Sequence, residues 1–265
     1  MKYSFMSFSA PDQDLPALLA TAVKYGYDGI EPRLDANHAH GIEVAATAAQ
    51  RALFRRQAGD SGITLACLAT SLKYADPAQT ENVLRQTHAR IDLAGDLGVP
   101  VMRVFGGKLP DGLNRDAAIE QVAKCLKTVA DHAAERQVTL ALETHDDWCD
   151  PEHVAAVVSR VDHPAIAVNW DVMHPVRMKL ATIDESYDRL KPWIRHLHVH
   201  DGIQDDGRLE MVPIGSGIID HRRALERLQQ DGYTGFISGE WIKWEAPELH
   251  LPRELATLKA LQRGL

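Results

Sequence analysis

The chain has 265 residues, of which 45% are apolar, so it is long enough for one large domain or two small ones with a sizeable buried core. Its net charge of -8 at pH 7 provides no basic field for nucleic-acid phosphates or anionic lipids, so we expect neither as a partner. No segment approaches the ~20 apolar residues of a membrane span, the first residues do not resemble a signal peptide, and the three cysteines lie far apart, so we expect a reduced, cytoplasmic protein.

The first half of the chain alternates predicted strands and helices. Gly26 and Gly98 are helix-ending residues, and Gly62 precedes an apolar run, so each marks a boundary. The predicted elements are a strand at 2–9, a helix at 15–25, a strand ending at Glu31, a helix at 43–59, a strand at 63–69, a helical stretch at 76–97 and a strand at 99–105.

The second half of the chain continues this alternation. Asn114 and Asp220 have side chains that can cap the N-termini of helices. The predicted elements are a helix after Asn114, a strand ending at Glu143, a helix from 151, a strand ending at Asp171, a helix from 184, a strand ending near His200, a helix at 221–230, a strand ending at Glu240 and a helix at 249–261. No low-complexity segment or flexible linker interrupts the series.

Eight strand–helix units in alternation predict a parallel sheet, and a closed (β/α)8 TIM barrel commonly takes ~250 residues. We therefore predict one α/β domain, a single TIM barrel over residues 1–265. The alternative is a doubly wound open sheet, which usually has a glycine-rich first turn. The first turn of this chain, residues 8–11, contains no glycine, so the barrel is preferred.

Metal-binding side chains end four of the predicted strands. Alternate residues of a strand share one face, so His196, His198 and His200 lie opposite Leu197 and Val199. The other three strands show a related arrangement, with a metal-binding residue at the end of each. Active sites of barrel enzymes lie at these carboxyl ends, so we predict one site there. Its candidate residues are Glu143, Asp171, His198 and Glu240.

Three carboxylates and one imidazole form an oxygen-rich ligand set. Such a set suits Mn²⁺ or Mg²⁺ best and also tolerates Co²⁺ or Zn²⁺. A structural zinc site would more commonly use thiolates, and no cysteine is placed for one. The sequence therefore predicts one divalent metal ion at the mouth of the barrel.

These strand ends resemble the xylose isomerase-like TIM-barrel superfamily, which contains ketose epimerases, hydroxypyruvate isomerases, inosose dehydratases and metal-dependent apurinic endonucleases. The matching stretches are 141–143, 171–174, 196–198 and 239–240, and the order of elements agrees along the whole chain. The resemblance implies that Glu143, Asp171, His198 and Glu240 hold one divalent metal. In the epimerase branch it also implies that Glu143 and Glu240 act as the acid and base, and that His174 binds substrate.

Two positions depart from the family pattern. The epimerases have a substrate-binding arginine six residues after the ligand histidine, whereas this chain has Gln204 at that position. Arg208 is the candidate replacement for binding substrate. The endonuclease branch binds three metals with additional histidines on earlier strands, and residues 67–72 and 102–108 contain none. This second departure argues against cleavage of nucleic acid.

Further polar residues near the strand ends are candidates for contacting substrate. Glu31 and Arg103 point into the barrel by strand parity, and His145 comes two residues after Glu143. Each of the three has a structural alternative of equal weight. We therefore treat Glu31, Arg103 and His145 as candidate substrate-binding residues.

The remaining histidines of interest have less defined roles. His38 and His40 lie in the loop after the second strand, where they are either solvated or part of a substrate lid or a second metal site. His196 shares the face of His198 but lies one layer deeper in the barrel. We expect His196 to support the site or the core rather than to bind the metal.

A divalent cation bound to neighbouring hydroxyl and carbonyl oxygens acidifies the adjacent C–H and stabilises the enediolate that forms. With one carboxylate to remove the proton and another to return it, we predict a sugar or sugar phosphate isomerase or epimerase. The first alternative is a dehydratase or lyase acting on a keto-polyol such as an inosose. A non-catalytic barrel and a phosphodiesterase are disfavoured by the intact acidic residues and the negative charge. The sequence leaves a homo-oligomer open.

Overall fold

Parallel strands close into a barrel, and helices pack around it. The computed structural model describes residues 1–205 and 208–265, with side chains outside 204–208. In chain order the strands are β1 (Lys2–Met6), β2 (Gly29–Glu31), β3 (Thr64–Leu65), β4 (Leu68–Lys73), β5 (Val101–Phe105), β6 (Thr139–Glu143), β7 (Ile166–Asp171), β8 (Ile194–Val199), β9 (Asp201–Asp205), β10 (Arg208–Val212) and β11 (Phe236–Gly239). Strands β9 and β10 form a separate antiparallel pair.

The helices follow the strands in sequence, and local capping explains where several of them begin. Asn114 accepts a hydrogen bond from the Ala117 N–H, and Asp220 accepts one from the Arg223 N–H, so both predicted caps are confirmed. The helices are α1 (Leu15–Tyr25), α2 (Ala48–Ser61), α3 (Thr80–Leu97), α4 (Arg115–Glu135), α5 (Pro151–Val161), α6 (Met173–Arg177), α7 (Ile183–Leu190), α8 (His221–Gln230) and α9 (Pro247–Arg263).

The barrel closes between the second and third strand positions. Strands β3 and β4 are the two edges of the hydrogen-bonded sheet, and only Ala66 and Cys67 separate them in sequence. A barrel of this type has eight strands, and β3 and β4 together take the place of the third. The sequence predicted one continuous strand there, at 63–69. A parallel bridge between Arg33 and Ala69 joins the second position to β4 and completes the ring. The predicted (β/α)8 TIM barrel is thus confirmed.

Three local differences from the predicted elements have physical causes. Helix α2 begins at Ala48 instead of 43, because the Thr47 side chain accepts from the Gln50 N–H while the Gln50 side chain accepts from the Thr47 N–H. Helix α6 was not expected, since a five-residue helix is too short for a hydrophobic period to show. The β9–β10 pair lies outside the barrel and was also missed.

Strand register places the candidate site on the inner face of the barrel. Glu143 pairs with Asn169, Asp171 with His198, and His198 with Ser238 across neighbouring strands. Residues paired in this way project to the same side of a sheet. All five residues are buried. The inner face at this end of the barrel is therefore polar, while the main apolar core lies between the strands and the helices.

The cysteines and helices give two further findings. Cys67, Cys125 and Cys149 are free thiols, as expected from their spacing, and all three are buried. Among the helices in the described ranges, none combines the length and the apolar sequence that crossing a lipid bilayer requires.

Candidate metal centre

The four predicted metal ligands meet at the carboxyl ends of β6, β7, β8 and β11. One potential ligand atom from each side chain lies within 4.8 Å of those of the other three, and all four residues are buried. Glu143 and Asp171 are the last residues of β6 and β7, His198 is the last but one of β8, and Glu240 directly follows β11. Barrel closure brings these strand ends together. We call Glu143, Asp171, His198 and Glu240 the metal cluster.

His198 lies between carboxylates on both sides of its ring. Its Nδ1 atom is 2.5 Å from Glu143 Oε1 and 3.3 Å from Glu240 Oε2, and its Nε2 atom is 3.0 Å from Glu31 Oε1. Burial acts to lower the pKa of this imidazole, but the three carboxylates together raise that pKa well above its ordinary value. Nδ1 is therefore the ring atom that faces the metal cluster.

Each carboxylate of the metal cluster has one buried oxygen that makes no well-aligned hydrogen bond within the described residues, although a side-chain nitrogen lies 3.0–3.3 Å from it. These atoms are Glu143 Oε2, Asp171 Oδ2 and Glu240 Oε2. A buried acceptor without a donor costs about 1–3 kcal/mol, and more when it is charged, so proteins rarely leave such atoms together. Oxygen ligands with one imidazole match the preferences of Mg²⁺ and Mn²⁺. The donor set therefore fits a divalent cation, which would satisfy all three oxygens at once.

The start of α6 fixes the orientation of Asp171. The main-chain N–H groups of Met173 and His174 donate to Asp171 Oδ1 at 2.8 and 3.2 Å, which leaves Oδ2 for the metal cluster. Burial acts to raise the pKa of Asp171, but the imidazoles of His174 and His200 lower it well below its ordinary range. The short helix that the sequence did not predict thus fixes the orientation of this carboxylate, and the two imidazoles favour its ionised form.

Glu31 lies beneath the metal cluster and is fully buried. Its Oε2 accepts a hydrogen bond from His196 Nε2 at 2.8 Å, and its Oε1 accepts one from His198 Nε2 at 3.0 Å. Burial acts to raise the pKa of Glu31, but the two imidazoles lower it well below its usual value. A carboxylate in this position fixes the orientation of both rings. The contacts of Glu31 are with histidines, and its predicted role in substrate binding stays a prediction.

Three imidazoles lie on the Asp171 side of the metal cluster. The ring centroids of His145 and His174 are 4.5 Å apart, and those of His174 and His200 are 5.5 Å apart. His200 Nε2 is 3.0 Å and His174 Nε2 is 3.7 Å from Asp171 Oδ2. Burial lowers the pKa of His174 to about 4, whereas Asp171 raises the pKa of His200 against the effect of burial. Imidazoles of different basicity therefore stand side by side.

Arg103 approaches the metal cluster from β5, in agreement with its predicted inward orientation. Its Nε atom is 3.3 Å from Glu143 Oε2, and its Nη1 donates to the Thr70 carbonyl at 2.8 Å. The guanidinium carbon is 3.9 Å from the centroid of the Phe105 ring. Arg103 is only 1% exposed, so these contacts hold the guanidinium beside Glu143.

His145 and Arg208 are two further candidates for substrate contact, and the structure describes the side chain of His145 only. His145 is half-buried at the mouth, where its Nδ1 is 3.0 Å from Asp146 Oδ1 and its ring centroid is 4.8 Å from that of Phe105. Burial acts to lower the pKa of His145, but the contact with Asp146 raises it above the ordinary value. The side chain of Arg208 lies outside the described residues.

The loop histidines make local contacts. His38 Nδ1 is 2.8 Å from Ser7 Oγ, and His40 Nδ1 accepts a hydrogen bond from the Ile42 N–H at 3.0 Å. Burial lowers the pKa of His40 to about 4. Within the part of the chain that the structure describes, neither histidine belongs to a group of three or more potential metal ligands.

Asn169 and His200 contact the metal cluster, although neither was proposed for it from the sequence. Asn169 Nδ2 donates to Glu143 Oε1 at 3.1 Å, and His200 faces Asp171. Strand parity could have found both, because Asn169 is two residues before Asp171 and His200 is two residues after His198. The residue types alone did not point to this site, because an asparagine or a histidine in a strand often has a structural role.

Comparison with known proteins places the chain in a family of barrels, and the relatives it matches have several activities. Residues 19–261 match the family described as Xylose isomerase-like TIM barrel. A 3-dehydroshikimate dehydratase of Bacillus anthracis is 21% identical over 271 residues, and the match covers 94% of this chain and 94% of the dehydratase. An L-ribulose-5-phosphate 3-epimerase of Salmonella paratyphi B is 26% identical over 229 residues, covering 82% of this chain and 78% of the epimerase.

A solved structure shares the fold at full length. A xylose isomerase-like TIM-barrel protein from Mycobacterium smegmatis, in complex with magnesium, superimposes with a TM-score of 0.76 at 20% identity, covering 100% of this chain and 97% of that protein. The family match extends over most of the chain, and the closed barrel agrees with it. This chain therefore belongs to the xylose isomerase-like TIM-barrel family, as its strand-end motifs predicted.

Proposed function

We propose that this protein is a divalent-metal-dependent sugar or sugar phosphate isomerase or epimerase that moves a proton through an enediolate. The observation that carries the proposal is the convergence of Glu143, Asp171, His198 and Glu240, with one buried oxygen on each carboxylate that makes no well-aligned hydrogen bond in the described part of the chain. Membership of the family and similarity to an epimerase support this class of reaction.

The metal cluster would hold the ion through its three carboxylates and Nδ1 of His198. Mg²⁺ or Mn²⁺ is expected ahead of Co²⁺ or Zn²⁺, because three of the four donors are hard oxygens. The magnesium-bound relative is in line with this choice. When bound, such a cation polarises a substrate carbonyl and stabilises the negative charge that proton removal leaves on the substrate.

Glu143 and Glu240 are the proposed acid and base. Both approach Nδ1 of His198, and each keeps an oxygen without a well-aligned hydrogen bond in the described part of the chain. One carboxylate takes the proton from the carbon beside the carbonyl, and the other returns a proton to the opposite face of that carbon in an epimerase. In an isomerase the proton would go to the neighbouring carbon instead. Arg103 contacts Glu143 Oε2 and Asn169 contacts Glu143 Oε1, so both oxygens are positioned.

Substrate hydroxyls would bind to the side chains that border the metal cluster. His174 and His145 are proposed for this role because they lie on the Asp171 side, where their rings contact each other. Arg103 would act from the β5 side, and Arg208 remains a proposal from the sequence alone. Glu31 is better placed to orient His198 than to touch substrate, because its carboxylate is fully buried between two imidazoles.

A dehydratase is the second candidate, and the three imidazoles favour it. Elimination of water requires an acid that protonates the departing hydroxyl after the carbon-bound proton has been removed. His145 or His200 could supply that proton, because neighbouring carboxylates raise the pKa of both imidazoles. Similarity to a dehydratase over 94% of the chain supports this alternative.

A substrate panel with added Mn²⁺ separates the two candidates. Ketoses, ketose phosphates and keto-polyols would be incubated with the metal-loaded protein, and the products followed by NMR and ultraviolet absorbance. A new sugar diastereomer or positional isomer supports the isomerase or epimerase, whereas the absorbance of a conjugated enone supports the dehydratase. The Glu143→Gln/Glu240→Gln double variant, purified in parallel, controls for contaminating enzymes. If metal-loaded, folded protein converts none of these compounds, the proposal is contradicted.

A further inference from the structure

A cleft of about 520 Å³ opens at the mouth of the barrel, and its described lining residues include no member of the metal cluster. Its walls come from the loops that follow β1, β2 and β11, which are neighbouring strands of the barrel. Trp241 is buried, and the chain then enters the wall at Ile242, two residues after Glu240. Barrel enzymes bind substrate over this face. The cleft is thus placed to receive a part of the substrate that is remote from the reacting carbon.

Two aromatic rings, Phe8 and Trp244, line the cleft. The ring centroid of Trp244 is 5.6 Å from that of His250 and 5.0 Å from the Arg253 guanidinium, so packing behind the cleft holds the indole. Both aromatic residues are half-buried and so keep part of their surface accessible. Aromatic rings that are held in place offer a large apolar contact with little loss of conformational entropy on binding.

Polar groups of both signs surround these rings. Asp12 and Lys243 contribute one negative and one positive charge, and Asn37 and His38 contribute neutral hydrogen-bonding groups. Burial, followed by the nearby Arg33, lowers the pKa of His38, which keeps its imidazole neutral near pH 7. The formal charges of the cleft walls therefore cancel. Donors and acceptors are both present, as a ligand rich in hydroxyl groups requires.

The guanidinium carbon of Arg33 lies 5.9 Å from the centroid of the Phe8 ring, and this guanidinium is already engaged. The Arg33 guanidinium donates to the carbonyls of Leu34 and Ala69 and, at 2.6 Å, to Ser71 Oγ. It would have to give up these bonds to reach a ligand in the cleft. A phosphate group would consequently meet Lys243 opposed by Asp12, with no second free cation among the described residues of the wall.

Two residues of the cleft have a backbone conformation that suits glycine. Asn37 and Lys243, from the loops after β2 and β11, have φ values of +55° and +49°, in the left-handed region that favours glycine. Other non-glycine residues of the described chain, Gln137 among them, share this conformation, so glycine is tolerated at each of these positions. At both positions the chain keeps a polar side chain where glycine would relieve the strain.

We infer that this cleft binds a second neutral, polyhydroxylated ring of the substrate, so that the substrate is a keto-glycoside or keto-disaccharide rather than a free monosaccharide. This inference rests on the proposed function, which supplies the reaction at the metal cluster. Binding to the cleft can be measured without turnover, so the inference and the proposed function can fail separately.

The test uses glycine variants that remove side chains without adding strain. Asn37→Gly combined with Lys243→Gly deletes two polar groups at positions where glycine accepts the backbone. The matched control is Gln137→Gly, which has a φ of +58° and is exposed in the turn between α4 and β6, away from the mouth. Binding of maltose, cellobiose, glucose and glucose 6-phosphate to the full chain would be measured by calorimetry and tryptophan fluorescence.

We expect at least one disaccharide to bind more tightly than glucose. That affinity should fall about tenfold in the double variant, the scale for loss of two hydrogen-bonding groups, and stay unchanged in the Gln137→Gly control. Circular dichroism should be the same in all three proteins. If glucose 6-phosphate binds more tightly than both disaccharides and loses affinity in the double variant, the cleft is an anion site and the inference is overturned. It is equally overturned if neither disaccharide binds better than glucose, or if the control weakens binding as much as the double variant does.

Discussion

Replacing Glu31 by glutamine tests how the interior of the barrel positions His198. The carboxylate accepts hydrogen bonds from His196 at 2.8 Å and from His198 at 3.0 Å, and it is fully buried. Glutamine keeps the shape but has one acceptor oxygen, and its NH₂ group would face the second imidazole. One of the two charge-assisted bonds is therefore lost, a change of about 1.5–3 kcal/mol. Because His198 is a proposed ligand, we expect metal affinity to fall about 10- to 100-fold.

The assay measures the Kd for Mn²⁺ by competition with a fluorescent chelator, together with circular dichroism and substrate KM. Glu31→Gln should raise the Kd about 10- to 100-fold while the far-ultraviolet spectrum stays unchanged. The matched control is Glu135→Gln, in which an exposed glutamate near the end of α4 is changed in the same way and the Kd should not move. A Kd for Glu31→Gln within about twofold of the control, combined with a raised KM, would refute this reasoning. It would assign Glu31 to substrate binding, as its strand parity first suggested.

Three further outcomes are expected. Chelation of the metal should abolish turnover but leave the circular dichroism spectrum of the barrel unchanged; full activity in verified metal-free protein would contradict this. His198→Ala should sharply lower metal content measured by mass spectrometry, whereas His196→Ala should mainly reduce thermal stability, and equal loss in both would mean that their roles are misassigned. Glu143→Gln and Glu240→Gln should each retain much of the metal and lose on the order of 10²-fold in kcat, the usual scale for acid–base catalysis. Near-normal kcat in both variants would remove these carboxylates from the chemistry.

Local sequence was enough to predict that the four side chains of the metal cluster would meet at one end of the barrel, because strands have a side-chain period of two. Parity and position at the strand end selected Glu143, Asp171 and His198 before their neighbours in space were known. Helix caps such as Asn114 were equally visible, because a cap bonds to a main-chain N–H only three residues away. Such features depend on residues close in sequence, and the alternation of strands and helices then predicts the barrel.

The missed features depend on contacts distant in sequence or on elements too short to show a period. The break between β3 and β4 arises where the barrel closes through the Arg33–Ala69 bridge, which joins residues 36 apart. Helix α6 is recognisable mainly from the hydrogen bonds that its first residues make with Asp171. Neither feature follows from the composition of the segment that contains it.

The sequence by itself determined which side chains share a face of each strand and which of them end it. Tertiary structure alone decided that Glu31 lies against His198, a residue 167 positions away, with β1 and β11 between their strands. It also decided which carboxylate oxygens make no well-aligned hydrogen bond within the described residues. The physical reason is that the alternation of side chains between two faces is a property of a single strand. Which residue an inward side chain meets depends instead on how far the strands tilt and stagger when the barrel closes.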